Sequence, residues 1–144
     1  MKDKDEKTEL ILSQWQTCVE MANSVSQRRD AMNNIFITMN LAIVTAVSVT
    51  WDLKTILILV AGIATCIIWL HFIRNYKALN TEKFNVINAI EDKLPVKPFN
   101  EEWKGLIANK KYMDGTKLEK ALPYTFIAIY VVAMVLILAL KLKK

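Results

Sequence analysis

Residue types that commonly do chemistry are thinly spread in this chain. Its one histidine, His71, has no carboxylate three or four residues away, so a metal site is not expected. Cys18 falls in a polar segment and Cys66 in an apolar one, which argues against a disulfide between them. Glu101 and Glu102 are adjacent, so on a helix they point about 100° apart, a poor geometry for a paired acid and base. There is no CxxC, no Gly-rich phosphate loop, and no Ser, His and Asp set spaced for nucleophilic catalysis. The expectation is a protein that is not an enzyme and carries no cofactor or metal. His71 then reads as a hydrogen-bonding residue at a membrane interface or, alternatively, as a proton sensor.

The chemistry on offer is that of a polar line on an apolar helix. At about 100° per residue, Asn34, Thr38, Leu41, Thr45, Ser48 and Asp52 fall within roughly 40° of one line. Gln27 and Glu20 extend that line toward the N-terminus, and Asn33 with Asn40 makes a second, shorter stripe beside it. Polar side chains are costly against lipid, so this face must meet protein or water. It is either a helix–helix seam or, in an oligomer, the wall of a water-filled path. A further pattern, Ala61, Gly62, Thr65 and Cys66, gives two small-xxx-small pairs that allow close helix packing.

Three apolar stretches must position these residues. Residues 32–51, 55–73 and 122–140 are each close to the roughly 20 residues needed to cross a bilayer. The first two are joined by Trp51, Asp52, Leu53 and Lys54 alone. This is the pattern of a tight transmembrane hairpin followed by a third span, rather than of a buried helix pair in a soluble domain. The chain has 144 residues, enough for one domain over 1–144, and 53% of them are hydrophobic. The polar N-terminus has no signal-peptide pattern, so the first span is expected to act as its own insertion signal.

Charge sets the expected orientation. Five Lys/Arg precede the first span and ten lie between the second and third; one is at the tip and three are in the tail. The positive-inside rule therefore puts the N-terminus and the central segment in the cytoplasm. The third span then leaves the C-terminus outside, with Lys141, Lys143 and Lys144 snorkelling to headgroups. The net charge of +5 reads as complementarity to a membrane surface, and no basic and aromatic pattern points to nucleic acid. Trp51 and Trp69 are spaced to mark the two interfaces.

Outside the spans the pattern is again helical. Residues 8–31 predict a cytosolic helix running into the first span, with Leu10, Ile11, Gln14, Cys18, Met21, Ala22 and Val25 on one stripe. It either leans on the rest of the cytosolic portion or binds a partner. Residues 74–121 predict a cytosolic helical segment. The second helix continues to Leu94, with Tyr76, Leu79, Lys83, Val86, Ile87, Ile90 and Leu94 on a buried face, and then an extended Leu94–Phe99 connector. Asn100 is expected to cap a short helix with Trp103, Leu106 and Ile107 on its apolar face. Asp114 and Gly115 form a turn, Thr116 and Glu119 a capping box, and Pro123 a kink.

Some of these residues carry a resemblance. Glu20, Met21, Ala22, Ser26, Arg28 and Arg29 form one part. Tyr76, Leu79, Asn80, Lys83, Phe84, Val86, Ile87, Glu91, Leu94, Pro95, Phe99, Glu102 and Trp103 form the other. Together they resemble the RipA-type family of small bacterial cytoplasmic-membrane proteins. The layout is also similar to SLATT effectors of bacterial conflict systems, although those have two spans. The first resemblance implies an octameric homo-oligomer in a bacterial inner membrane, tied to stress adaptation or host growth. The second implies a pore. The expected fold is thus all-α, a three-span homo-oligomer with a cytosolic helical layer. The expected partners are the lipid bilayer, further copies of the chain, and a cytosolic protein or signal. Two functions remain open: a pore or channel-like effector, and a non-conducting scaffold that recruits partners through its cytosolic helices.

Overall fold

The computed structural model describes the backbone of residues 2–142 and the side chains of residues 5–141. Lys143 and Lys144, part of the expected outer tail, lie outside the described residues. The fold is all-α: α1 (Lys2–Val49), α2 (Thr55–Glu91), α3 (Pro98–Ala108) and α4 (Gly115–Leu142). Three of these, α1, α2 and α4, are long and apolar enough to cross a membrane.

The chain forms two compact units that share α1 and α2: Met1–Arg28 with Tyr76–Met113, and Arg29–Asn75 with Asp114–Lys144. The second unit holds the three charge-free stretches. Its core is Val47, Leu59, Cys66, Tyr130 and Ile137, with a second cluster of Phe36, Trp69 and Ile73. The first unit buries Ala22, Val25 and Ile87 and packs Phe99 against Trp15 and Phe84, with ring centroids 5.7 and 5.6 Å apart.

Local chemistry moves several boundaries. α1 stops at Val49, so Asp52 lies in the tip and not on the helical line through Asn34 and Ser48. It caps α2 instead: Thr55 donates its N–H to Asp52 Oδ1 at 3.0 Å. α2 ends at Glu91 rather than Leu94, and α3 begins at Pro98 rather than after Asn100. The reason is the Glu91 carboxylate, which accepts the N–H groups of Phe99 and Asn100, both at 3.2 Å. A side chain from another helix thus satisfies the N-terminal donors that Asn100 was expected to serve. Pro98 suits the first turn because its missing N–H needs no partner. α4 is capped by Asp114, whose Oδ1 accepts the Thr116 N–H at 2.9 Å, so Thr116 and Glu119 are not a capping box. Pro123 lies within the continuous helix α4 and is buried.

Candidate pore-lining face

In the second unit α1 has two opposed faces. Phe36, Asn40 and Val47 are buried on one side, while Asn34, Thr38, Leu41, Thr45 and Ser48 are all exposed about half a turn away. The core therefore draws on the second stripe. Asn33 Oδ1 accepts the Trp69 indole N–H at 2.8 Å, and Trp69 stacks on Phe36 with ring centroids 5.6 Å apart. Asn40 is fully buried. Its Oδ1 accepts the Tyr130 hydroxyl at 2.8 Å and the Cys66 thiol at 3.1 Å, and its Nδ2 donates to the Phe36 carbonyl at 2.8 Å. One carboxamide from α1 ties α2 and α4 together, every polar atom paired, as an apolar solvent demands. Trp69 is 1% exposed, so it is an interior residue and not an interface marker. An indole N–H with a buried amide oxygen in reach is satisfied without a headgroup.

The small residues of α2 divide the same way. Gly62 and Cys66 are buried, and a β-carbon at Gly62 would lie 2.7 Å from Tyr130 Cε2. Ala61 is exposed and Thr65 is half-buried, returning its hydroxyl to the Ala61 carbonyl at 2.9 Å. The close pair serves packing within one chain, and Ala61 faces outward.

On the exposed stripe the hydroxyls bond to their own helix. Thr38 donates to the Asn34 carbonyl at 2.9 Å, Thr45 to Leu41 at 2.9 Å and Ser48 to Val44 at 2.8 Å. Asp52 is exposed and anchored by Thr55; the Thr55 N–H holds its carboxyl below the usual carboxylate range.

At the other end of the unit, Arg29 turns inward. Its Nη2 lies 2.6 Å from Glu119 Oε2 and 3.1 Å from Thr116 Oγ1, and its Nε donates to Glu119 at 2.9 Å. The Thr116 and Glu119 side chains are thus free of the cap because they hold the arginine. Arg28, its neighbour, is exposed and donates to Ser24 Oγ at 3.2 Å.

The remaining residues singled out in the sequence lie in the first unit. Glu91 is fully buried and also accepts the Trp15 indole N–H at 3.3 Å. Phe84 meets Phe99 edge to face. Tyr76, Lys83 and Leu94 are half-buried; Asn80 is too, and its amide oxygen is buried without a hydrogen-bond partner among the described residues. Leu79 and Val86 are exposed, so the buried face of α2 runs through Phe84, Ile87 and Glu91 instead. Pro95 and Glu102 are exposed, as is Trp103; α3 buries no residue. His71 is exposed, and no three His, Cys, Asp or Glu side chains among the described residues are grouped to hold a metal.

A family model described as the octameric membrane protein family (8xMP) matches residues 12–139. The chain belongs to this family. It is therefore a membrane protein that assembles with copies of itself, and faces left bare on one protomer are open to its neighbours. No curated protein and no solved structure matches the chain. Sequence reasoning missed Tyr130, Trp15 and the inward role of Arg29. The 3–4 spacing of Ile11, Trp15, Cys18, Ala22, Val25, Arg29, Met32 and Phe36 held the signal for the last two.

Proposed function

We propose that the 8xMP octamer encloses a pore lined by the exposed polar face of α1. The observation behind this reading is the division of polar residues on that helix. Asn33 and Asn40 face the protomer core and bond Trp69 and Tyr130 there, yet Asn34, Thr38, Thr45 and Ser48 are left outside it on the opposite face. Back-bonding makes the hydroxyls cheaper to expose, but among the described residues the Asn34 amide has no such partner and needs water or protein. Three spans cannot surround a water path, so several copies with α1 innermost are required. Leu41, 53% exposed, is the one large apolar side chain on the stripe. A ring of such residues closes the path by dewetting.

On this reading the protein is not an enzyme and resides in a bacterial inner membrane with its N-terminus inside. A role in stress or defence fits such a pore. Leu41→Ser in the octamer, reconstituted in liposomes, should raise ion leak at least about tenfold, and Thr45→Val should lower it. Leak no greater than from empty liposomes in both wild type and Leu41→Ser would sink the pore reading.

The second reading, a scaffold, is favoured by one observation. In the first unit Trp103 and Ile107 are 53% and 65% exposed on a helix with no buried residue. An apolar face of that kind suits a partner. Flux-free liposomes together with loss of a co-purifying cytosolic protein in Trp103→Asp, the octamer staying intact, would favour it.

A further inference from the structure

We infer that the pore selects cations, with Asp30 as the selecting charge; this rests on the pore reading above. Two independent features point to a cation as the permeant species.

The first is the state of the hydroxyls. Each Ser or Thr hydroxyl has one hydrogen to give. Thr38, Thr45 and Ser48 have given theirs to carbonyls of their own helix. Their oxygens therefore present only lone pairs to whatever passes. Acceptor oxygens replace the hydration shell of a cation and offer nothing to an anion. Asn34 is the only side chain of the stripe with hydrogens free to donate outward.

The second is the distribution of charge. Asp30 lies one turn before Asn34 on the same line of α1 and is exposed. Among the described residues no cation pairs with it. Arg29, next to it, is turned about 100° away and neutralised by Glu119. From Asp30 to Ser48 the face carries this one carboxylate and no positive charge. At the far end Asp52 is exposed and held in its ionised form by Thr55, with Lys54 as the only cation of the tip. This face runs against the protein's overall charge of +5. An octamer repeats Asp30 eight times around one narrow path. Rings of carboxylates admit cations and exclude anions, and a confined charged cleft enriches counter-ions about 10- to 1,000-fold.

The test is the reversal potential of the reconstituted octamer in a phosphatidylcholine bilayer under a tenfold KCl gradient. Leu41→Ser supplies a conducting background. Potassium should be preferred over chloride by about tenfold or more. Asp30→Asn should bring the ratio toward one, and Asp30→Lys should invert it. Glu82→Gln, on another helix, should leave it unchanged. Native mass spectrometry confirms that each variant is still octameric. A non-selective or anion-selective current, or a preference that survives Asp30→Lys in an intact octamer, overturns the assignment while leaving the pore. A preference lost equally in Glu82→Gln overturns the role of Asp30. Absence of current in both wild type and Leu41→Ser removes the pore and this inference with it.

Discussion

Gly62→Ala adds one methyl group where the structure has no room for it. The new β-carbon would lie 2.7 Å from Tyr130 Cε2, 2.9 Å from Cζ and 3.1 Å from Cδ2. Carbon–carbon contacts are optimal near 3.5–4.0 Å, so the ring or the helix must retreat by roughly 0.8 Å. The ring is not free to do so. It is fully buried, stacked near Phe126 and held by its hydroxyl to Asn40 Oδ1 at 2.8 Å. Overpacking of this kind costs about 1–3 kcal/mol. A displaced hydroxyl forfeits a buried membrane hydrogen bond, about 0.6 kcal/mol on average. The expected loss is therefore about 1.5–3.5 kcal/mol, measured by reversible unfolding of the octamer in mixed micelles. On a Tyr130→Leu background the ring is gone, and the same methyl should cost less than about 0.5 kcal/mol, a clear non-additivity. If Gly62→Ala costs the same on both backgrounds, Tyr130 is not what the glycine makes room for. If it costs nothing on either, α2 and α4 do not pack closely at this point.

Arg29→Ala leaves a half-buried Glu119 without its cation and should cost about 1.5–3 kcal/mol, whereas exposed Arg28→Ala should stay within about 0.5 kcal/mol; detergent melting of both variants compares them. Glu91→Ala strips the acceptor from Phe99, Asn100 and Trp15, and should free α3, seen as faster proteolysis after Lys97 and Lys104. Glu91→Gln keeps one acceptor oxygen and should be milder. The Asp52 cap has a depressed folded pKa, so its contribution is present above the ordinary value of about 3.9 and disappears as pH falls through the lower folded value. Hydrogen-exchange protection at Leu57 should fall in that acidic window in wild type and show no such step in Asp52→Asn. A tag after Lys144 should be reached from the periplasm and one at Asp114 should not; equal accessibility of both would reject the proposed topology.

What the sequence determined by itself was the solvent. Uncharged stretches of about 20 residues leave a chain few alternatives to spanning helices, because backbone polar groups in lipid must be paired within the segment. The two-span turn at Trp51–Lys54 and the long helical continuations of α1 and α2 followed from the same local rules, since no proline or glycine interrupts them. The polar stripe was also legible, because a period of 3.6 fixes which side chains share a line.

The direction each line faces was not legible. The Asn33–Asn40 pair and the Asn34–Ser48 line stand on different sides of the helix, and both are equally polar on a projection. Only the packing partners separate them: the Trp69 indole and the Tyr130 hydroxyl arrive from other helices and claim the second stripe. The same holds for Arg29, drawn inward by Glu119 ninety residues away, and for the start of α3, where Glu91 replaces the local cap. Local sequence sets which groups stand together on a helix. Which of them are buried depends on donors and acceptors distant in the chain, and their desolvation is settled only when the helices meet.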